Sequence, residues 1–200
     1  MVEVKFQQPI DRVVTIGLLS SLCIVSNYAM LPLWNVKLMD TIVFVSGFLY
    51  GLHAGMAVAA ISWFVYGILN PYGFSLPTLL AVITGEMLYA LSGSLAKRKF
   101  SMTNGPGFLS AQNLAFGVVG LFSTLAYDVL TNAVAGWLFY GSVMYGLLTM
   151  NFPIPMGIIH EASNFFLFAF LAPVAINSVK RSGFQSALKR GRKEGLRNVI

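Results

Sequence analysis

Ionisable side chains inside the apolar stretches of this 200-residue chain are few, and any chemistry it performs must start from them. They are Glu86, Asp128 and the pair His160-Glu161. A charge at membrane depth is costly enough to mark a site of binding or transport by default. Asn132 and Asn164 follow Asp128 and His160 by one helical turn, so each amide shares a helix face with its ionisable neighbour. Asn27, Trp34, Asn35, Lys37 and Asp40 gather around the end of the first apolar run, with Asn70 and Tyr72 in the next polar stretch. Together they suit a pocket for a ligand. The competing reading is that Asp128, Asn132, Glu161 and Asn164 bond between helices and only fix packing.

Several reaction classes fall away at once. In His160-Glu161-Ala162-Ser163-Asn164 the position of the second zinc ligand of H-E-x-x-H is an asparagine, and the other histidine, His53, lies far along the chain. No G-x-S-x-G elbow presents a nucleophilic serine, and no G-x-x-x-x-G-K-[ST] loop could hold ATP. No catalytic residue, cofactor or metal site is expected.

The elements that must position these residues are helices in lipid. The chain is 56% hydrophobic and 10% charged, with a mean hydropathy of +0.74, too little charged surface for a soluble globule. Long unalternating apolar runs suit helices, whose backbone groups are satisfied within the segment, and not barrel strands. The runs are Val13 to Leu31, Thr41 to Leu69 with an interruption, Leu76 to Ala96, Leu109 to about Leu130 or beyond, and Gly157 to Val179. Twelve of the thirteen Lys and Arg residues fall in the stretches around Lys5 and Arg12, at Lys97-Arg98-Lys99, and from Lys180 onward. Only Lys37 lies elsewhere.

Lys and Arg are retained on the cytoplasmic side, so all three basic stretches belong there. That parity requires Thr41 to Leu69 to be split into two short spans at Gly51-Leu52-His53-Ala54-Gly55, and Leu109 to Met150 to hold one span. The segment Trp137 to Tyr145, rich in aromatics, then forms a partly embedded outer piece. The expectation is an all-α polytopic membrane protein with six transmembrane helices and both termini cytoplasmic. Residues 1–182 form the transmembrane domain and 183–200 a basic cytoplasmic tail. Headgroups explain the net charge of +6, and nucleic acid is not an expected partner. MVEVKFQQPIDR lacks the small-residue cleavage site of a removable signal peptide. Cys23, the single cysteine, is a buried apolar residue in this reading.

Small residues form a second pattern. Gly47, Gly51, Gly55 and Ala59 recur every four residues, and Gly17 and Ser21 share one face of the first span. Such faces let helices approach to backbone contact, either inside the bundle or against a partner.

These features together resemble a known family. LPLWNVKLMDTIVFVSGFLYGLHAGM with its glycine-rich turn, the Lys97-Arg98-Lys99 loop, YDVLTN at Tyr127 to Asn132, and HEASNFFLF before a basic end are similar to the substrate-binding S component of an energy-coupling factor (ECF) transporter. The resemblance implies a multi-pass protein of a prokaryotic cell membrane that binds a vitamin-like small molecule from outside. It also implies a scaffold subunit and two ATPase subunits as partners, with Gly17 and Ser21 at the positions of a small-residue docking face. On this reading Trp34, Asn35, Tyr72, Asp128 and Asn132 line the site, and His160 and Asn164 close it from the sixth helix. Aromatic faces with amides suit a flat, hydrogen-bonding ring system. The residues do not single out one vitamin. Two other readings are a stand-alone transporter cycling a proton on Glu86 or Asp128, and a membrane scaffold without a ligand.

Overall fold

The computed structural model describes residues 9–71, 73–100 and 110–181. These residues form seven helices: α1 Pro9–Ala29, α2 Leu38–Tyr50, α3 Leu52–Ile68, α4 Leu76–Lys99, α5 Ala111–Tyr140, α6 Val143–Thr149 and α7 Met156–Arg181. Among the described residues there is no strand. Four helices, α1, α4, α5 and α7, are long and apolar enough to cross a membrane, while α2 and α3 are shorter apolar helices. The expected basic tail at 183–200 lies outside the described residues.

Local sequence accounts for the boundaries. Pro9 opens α1, where its missing N–H removes no helical bond. Ser75, Ser110 and Ser142 cap α4, α5 and α6 by accepting from the backbone N–H three residues on. Gly51, with φ +91°, divides the long apolar run into α2 and α3, a conformation that a residue with Cβ rarely adopts. The α5 helix runs on to Tyr140, beyond Leu130 as the expectation allowed, and ends at Gly141-Ser142. At 30 residues it is about 45 Å long, more than a hydrocarbon core of about 30 Å. The segment Trp137 to Tyr145 is therefore the last turn of α5, a left-handed Gly141 and the start of α6, not a separate piece.

The short α2 is the central helix. From Met39 to Leu49 every residue except Ile42 is buried, and α1, α3, α4 and α7 surround it. A helix screened by its neighbours does not need to match the bilayer thickness by itself. Glycine makes the enclosure possible: a Cβ on Gly47 would strike the carbonyl of Ala90, and one on Gly93 the carbonyl of Phe44. Here α2 and α4 meet backbone to backbone, the close approach that small-residue stripes allow. Gly117 and Gly120 do the same for α5 against Phe165 and Phe168 of α7.

The α1 helix is peripheral and inverted in polarity. Thr15, Ser20, Ser26 and Asn27 face inward, while Val13, Leu18, Leu22 and Val25 are exposed. Gly17 and Ser21 lie on this outward side, with no atom within 4 Å of a Cβ built at Gly17.

Replacing Gly93 by valine should lower stability by about 1–3 kcal/mol, as expected for forcing atoms into a packed contact whose neighbour is backbone. Gly17→Ala should leave it unchanged or slightly raised. Thermal unfolding of the detergent-purified variants checks both; equal melting points for Gly93→Val and the parent would refute the close-packing account.

Candidate functional site

Beneath one end of the bundle lies a buried polar network. Asp40 near the start of α2, Asp128 in α5 and His160 in α7 meet among three helices and are almost wholly inaccessible. His160 Nε2 lies 2.7 Å from Asp40 Oδ2, and its Nδ1 lies 2.9 Å and 3.1 Å from the two oxygens of Asp128. With both carboxyls ionised, and therefore only accepting, the two bonds place N–H on both ring nitrogens, the imidazolium form; a neutral ring would require one carboxyl to carry the proton. One turn along α7, Asn164 donates to Asp40 Oδ2 at 2.6 Å and to Thr124 Oγ1 at 2.8 Å. Tyr89 of α4 donates to the same Thr124 oxygen at 3.1 Å, and Thr124 donates to the Gly120 carbonyl at 2.8 Å. The network thereby joins α2, α4, α5 and α7. A separate bond joins α3 to α4, where the Trp63 indole donates to Glu86 at 2.9 Å.

Above this network opens a cavity of about 670 Å³. Its walls come from the connection before α2, the end of α3, the start of α4, the second half of α5 and the start of α7. Aromatic faces are supplied by Trp63, Phe74, Tyr127 and Phe139, and polar groups by Asn35, Asn70, Thr131 and Asn132. Asp128 sits where the cavity meets the network. The Lys37 ammonium stands 5.4 Å from the Trp63 ring centroid and 5.1 Å from that of Tyr127. A smaller cavity of about 420 Å³ adjoins it and shares Asn35, Lys37 and Met156 as a wall.

Of the residues singled out in the sequence, Asn35, Asp128 and Asn132 line the larger cavity, and Trp34 lines the smaller one with its ring largely exposed. Asn132 donates to the Asp128 backbone carbonyl at 2.8 Å. Asn35 adopts a left-handed backbone, φ +52°, and its amide donates to the Met156 carbonyl at 2.8 Å. That bond ties the connection between α1 and α2 to the start of α7. His160 and Asn164 lie below the cavity, fully buried in the network. Tyr72 is outside the described residues.

Sequence reasoning passed over Trp63 and Tyr127. Trp63 continues the four-residue spacing of Gly55 and Ala59 toward Gly67, a stripe that reads as packing until the chain is folded. Tyr127 precedes Asp128 directly, and nothing in its type sets it apart from other aromatics of the apolar runs.

What the arrangement can do is bind. Aromatic walls with amides and one cation, in a cavity within the usual range of about 300–1,000 Å³, suit a flat polar molecule. Among the described residues no group of three or more His, Cys, Asp or Glu is arranged to hold a metal ion.

Compared with known protein families, residues 7–181 match the family model described as ECF-type riboflavin transporter, S component. No curated protein and no solved structure matches the chain.

Removing the shared cation should be severe. His160→Ala leaves Asp40 and Asp128 buried without it, and breaking a buried charged group this way costs about 3–5 kcal/mol. The variant should unfold at a clearly lower temperature in detergent, and Asp40→Asn combined with His160→Gln should recover part of the loss. A His160→Ala melting point equal to that of the parent would show that the network does not support the bundle.

Proposed function

The chain belongs to the S components of ECF-type riboflavin transporters, and from that premise we propose that it captures riboflavin in the larger cavity and delivers it as one subunit of an ECF importer. S components are the substrate-binding proteins of transporters and not enzymes. The observation that carries the substrate is the match between cavity and ligand. Riboflavin pairs a flat conjugated ring, bearing carbonyl acceptors and one imide donor on one edge, with a polyhydroxylated tail. Trp63 and Tyr127 offer ring faces, while Asn35, Asp128, Thr131 and Asn132 offer complementary acceptors and donors. Trp34 lines the adjoining smaller cavity, His160 holds Asp128 and Asn164 holds Asp40 from below, and Tyr72 is assigned to riboflavin binding from the sequence alone.

The direction of capture rests on charge. Lys97 donates to the Leu49 carbonyl at 3.5 Å, at the end of α2 opposite to Asp40 and the cavity. With Lys97-Arg98-Lys99 retained in the cytoplasm, the cavity opens outward. In this arrangement α1, α2, α3, α4, α5 and α7 are the six spans of a prokaryotic cell-membrane protein, α6 lies on the outer side, and both termini are cytoplasmic. The partners are a membrane scaffold subunit and two ATPase subunits, which supply the energy this chain has no motif to harvest. The exposed face of α1 around Gly17 and Ser21 is the surface we assign to the scaffold.

Titration of the purified protein with riboflavin, followed by quenching of flavin fluorescence, should show saturable binding to one site. Asn132→Ala should weaken it by about 5- to 30-fold, the value of one hydrogen bond of about 1–2 kcal/mol in a partly buried site. Absence of saturable binding by the intact protein would overturn the reading.

A further inference from the structure

One charge in the molecule is not accounted for by topology. Among the described residues, Lys37 is the one Lys or Arg that lines the cavity. Its half-buried ammonium has three N–H donors and, among the described residues, no hydrogen-bond acceptor. The nearby carboxylates attract the ammonium by charge without accepting a hydrogen bond from it: Asp40 bonds His160 and Asn164, Asp128 bonds His160, and Glu86 bonds Trp63, while Asp40 Oδ1 and Glu86 Oε1 accept none. The ammonium itself stands against two ring faces, Trp63 at 5.4 Å and Tyr127 at 5.1 Å, a contact that only partly replaces lost water.

Those two rings are also the faces on which a flat ligand would stack. A ring laid against them moves the ammonium from the face to the perimeter of the ligand. There it meets either apolar methyl groups or the carbonyl-bearing edge, and only the second can accept a hydrogen bond. We infer that Lys37 determines ligand specificity and orientation by donating to a carbonyl oxygen of the ring edge while the ring packs on Trp63 and Tyr127. The inference rests on riboflavin capture in this cavity. It explains why a cation stands here against the charge pattern of the rest of the chain: without a ligand its donors are unused, and with one they are matched.

The test is a cycle of residue against ligand edge, on the full chain in detergent. Riboflavin and its 2-thio and 4-thio analogues, in which sulfur replaces one carbonyl oxygen as a much weaker acceptor, are titrated into the parent, Lys37→Met and Lys37→Arg. At least one thio analogue should bind the parent about tenfold more weakly than riboflavin, the size expected for a hydrogen bond from a charged donor. In Lys37→Met riboflavin itself should weaken by a similar factor and the difference between it and that analogue should vanish. Lys37→Arg should restore the difference in part. If both analogues bind the parent as riboflavin does, or if their penalties persist unchanged in Lys37→Met, Lys37 does not read the edge. A parent that does not bind riboflavin at all is a distinct result, which removes the substrate assignment itself.

Discussion

A histidine held between two buried carboxylates is the constraint on which the rest of this bundle is arranged. In lipid the hydrophobic effect does little to choose one helix packing over another, because the tails are as apolar as the side chains. Buried charge does choose. The bonds from His160 to Asp40 and Asp128 close only when α2, α5 and α7 stand in one register, and Asn164, Thr124 and Tyr89 extend the same demand to α4. A slip of α2, α5 or α7 by one turn would leave a carboxylate without its partner, a cost of several kcal/mol at a buried site. Close packing at Gly47, Gly93 and Gly120 supports the same register by sterics.

The consequences reach the cavity. Asp128 is the member of the network that also borders the open space, so the histidine sets the position of the cavity floor. Tyr127 stacks edge-on against the His160 ring with centroids 5.7 Å apart, which orients one aromatic wall by the same contact. The opposite wall is held by the Trp63 bond to Glu86, and the rim by the Asn35 bond to Met156. A site positioned on helices, with its side chains fixed by buried partners, is already shaped before a ligand arrives, and preorganisation of this kind reduces the ordering cost of binding.

Much of the architecture was legible in the chain because it follows from the solvent. Apolar runs without alternation are helices, serines ahead of them are caps, and Gly51 must divide a run that the charge pattern requires to be two. The extent of α5 past Leu130 was less legible, because aromatic residues are as compatible with a helix as with an interfacial belt until the breaker at Gly141. For the site, the intramembrane polar residues were visible as costly, but not which of them border the cavity. Asn35, Asp128 and Asn132 border the cavity, whereas His160 and Asn164 are occupied with one another's neighbours beneath it.

By itself the amino-acid sequence determined that this protein is an apolar helical bundle, which stretches carry its basic residues, and which polar groups in the apolar runs are candidates for binding. Those properties depend on composition, periodicity and charge, which are additive along a chain. Only the tertiary structure decided that Asp40 pairs with a histidine 120 positions away, that Trp63 leaves a packing stripe to become a wall, and that Lys37 lies between two aromatic faces. These are properties of pairs, and whether a buried polar group is a strut or a receptor depends on whether another part of the chain has already satisfied it.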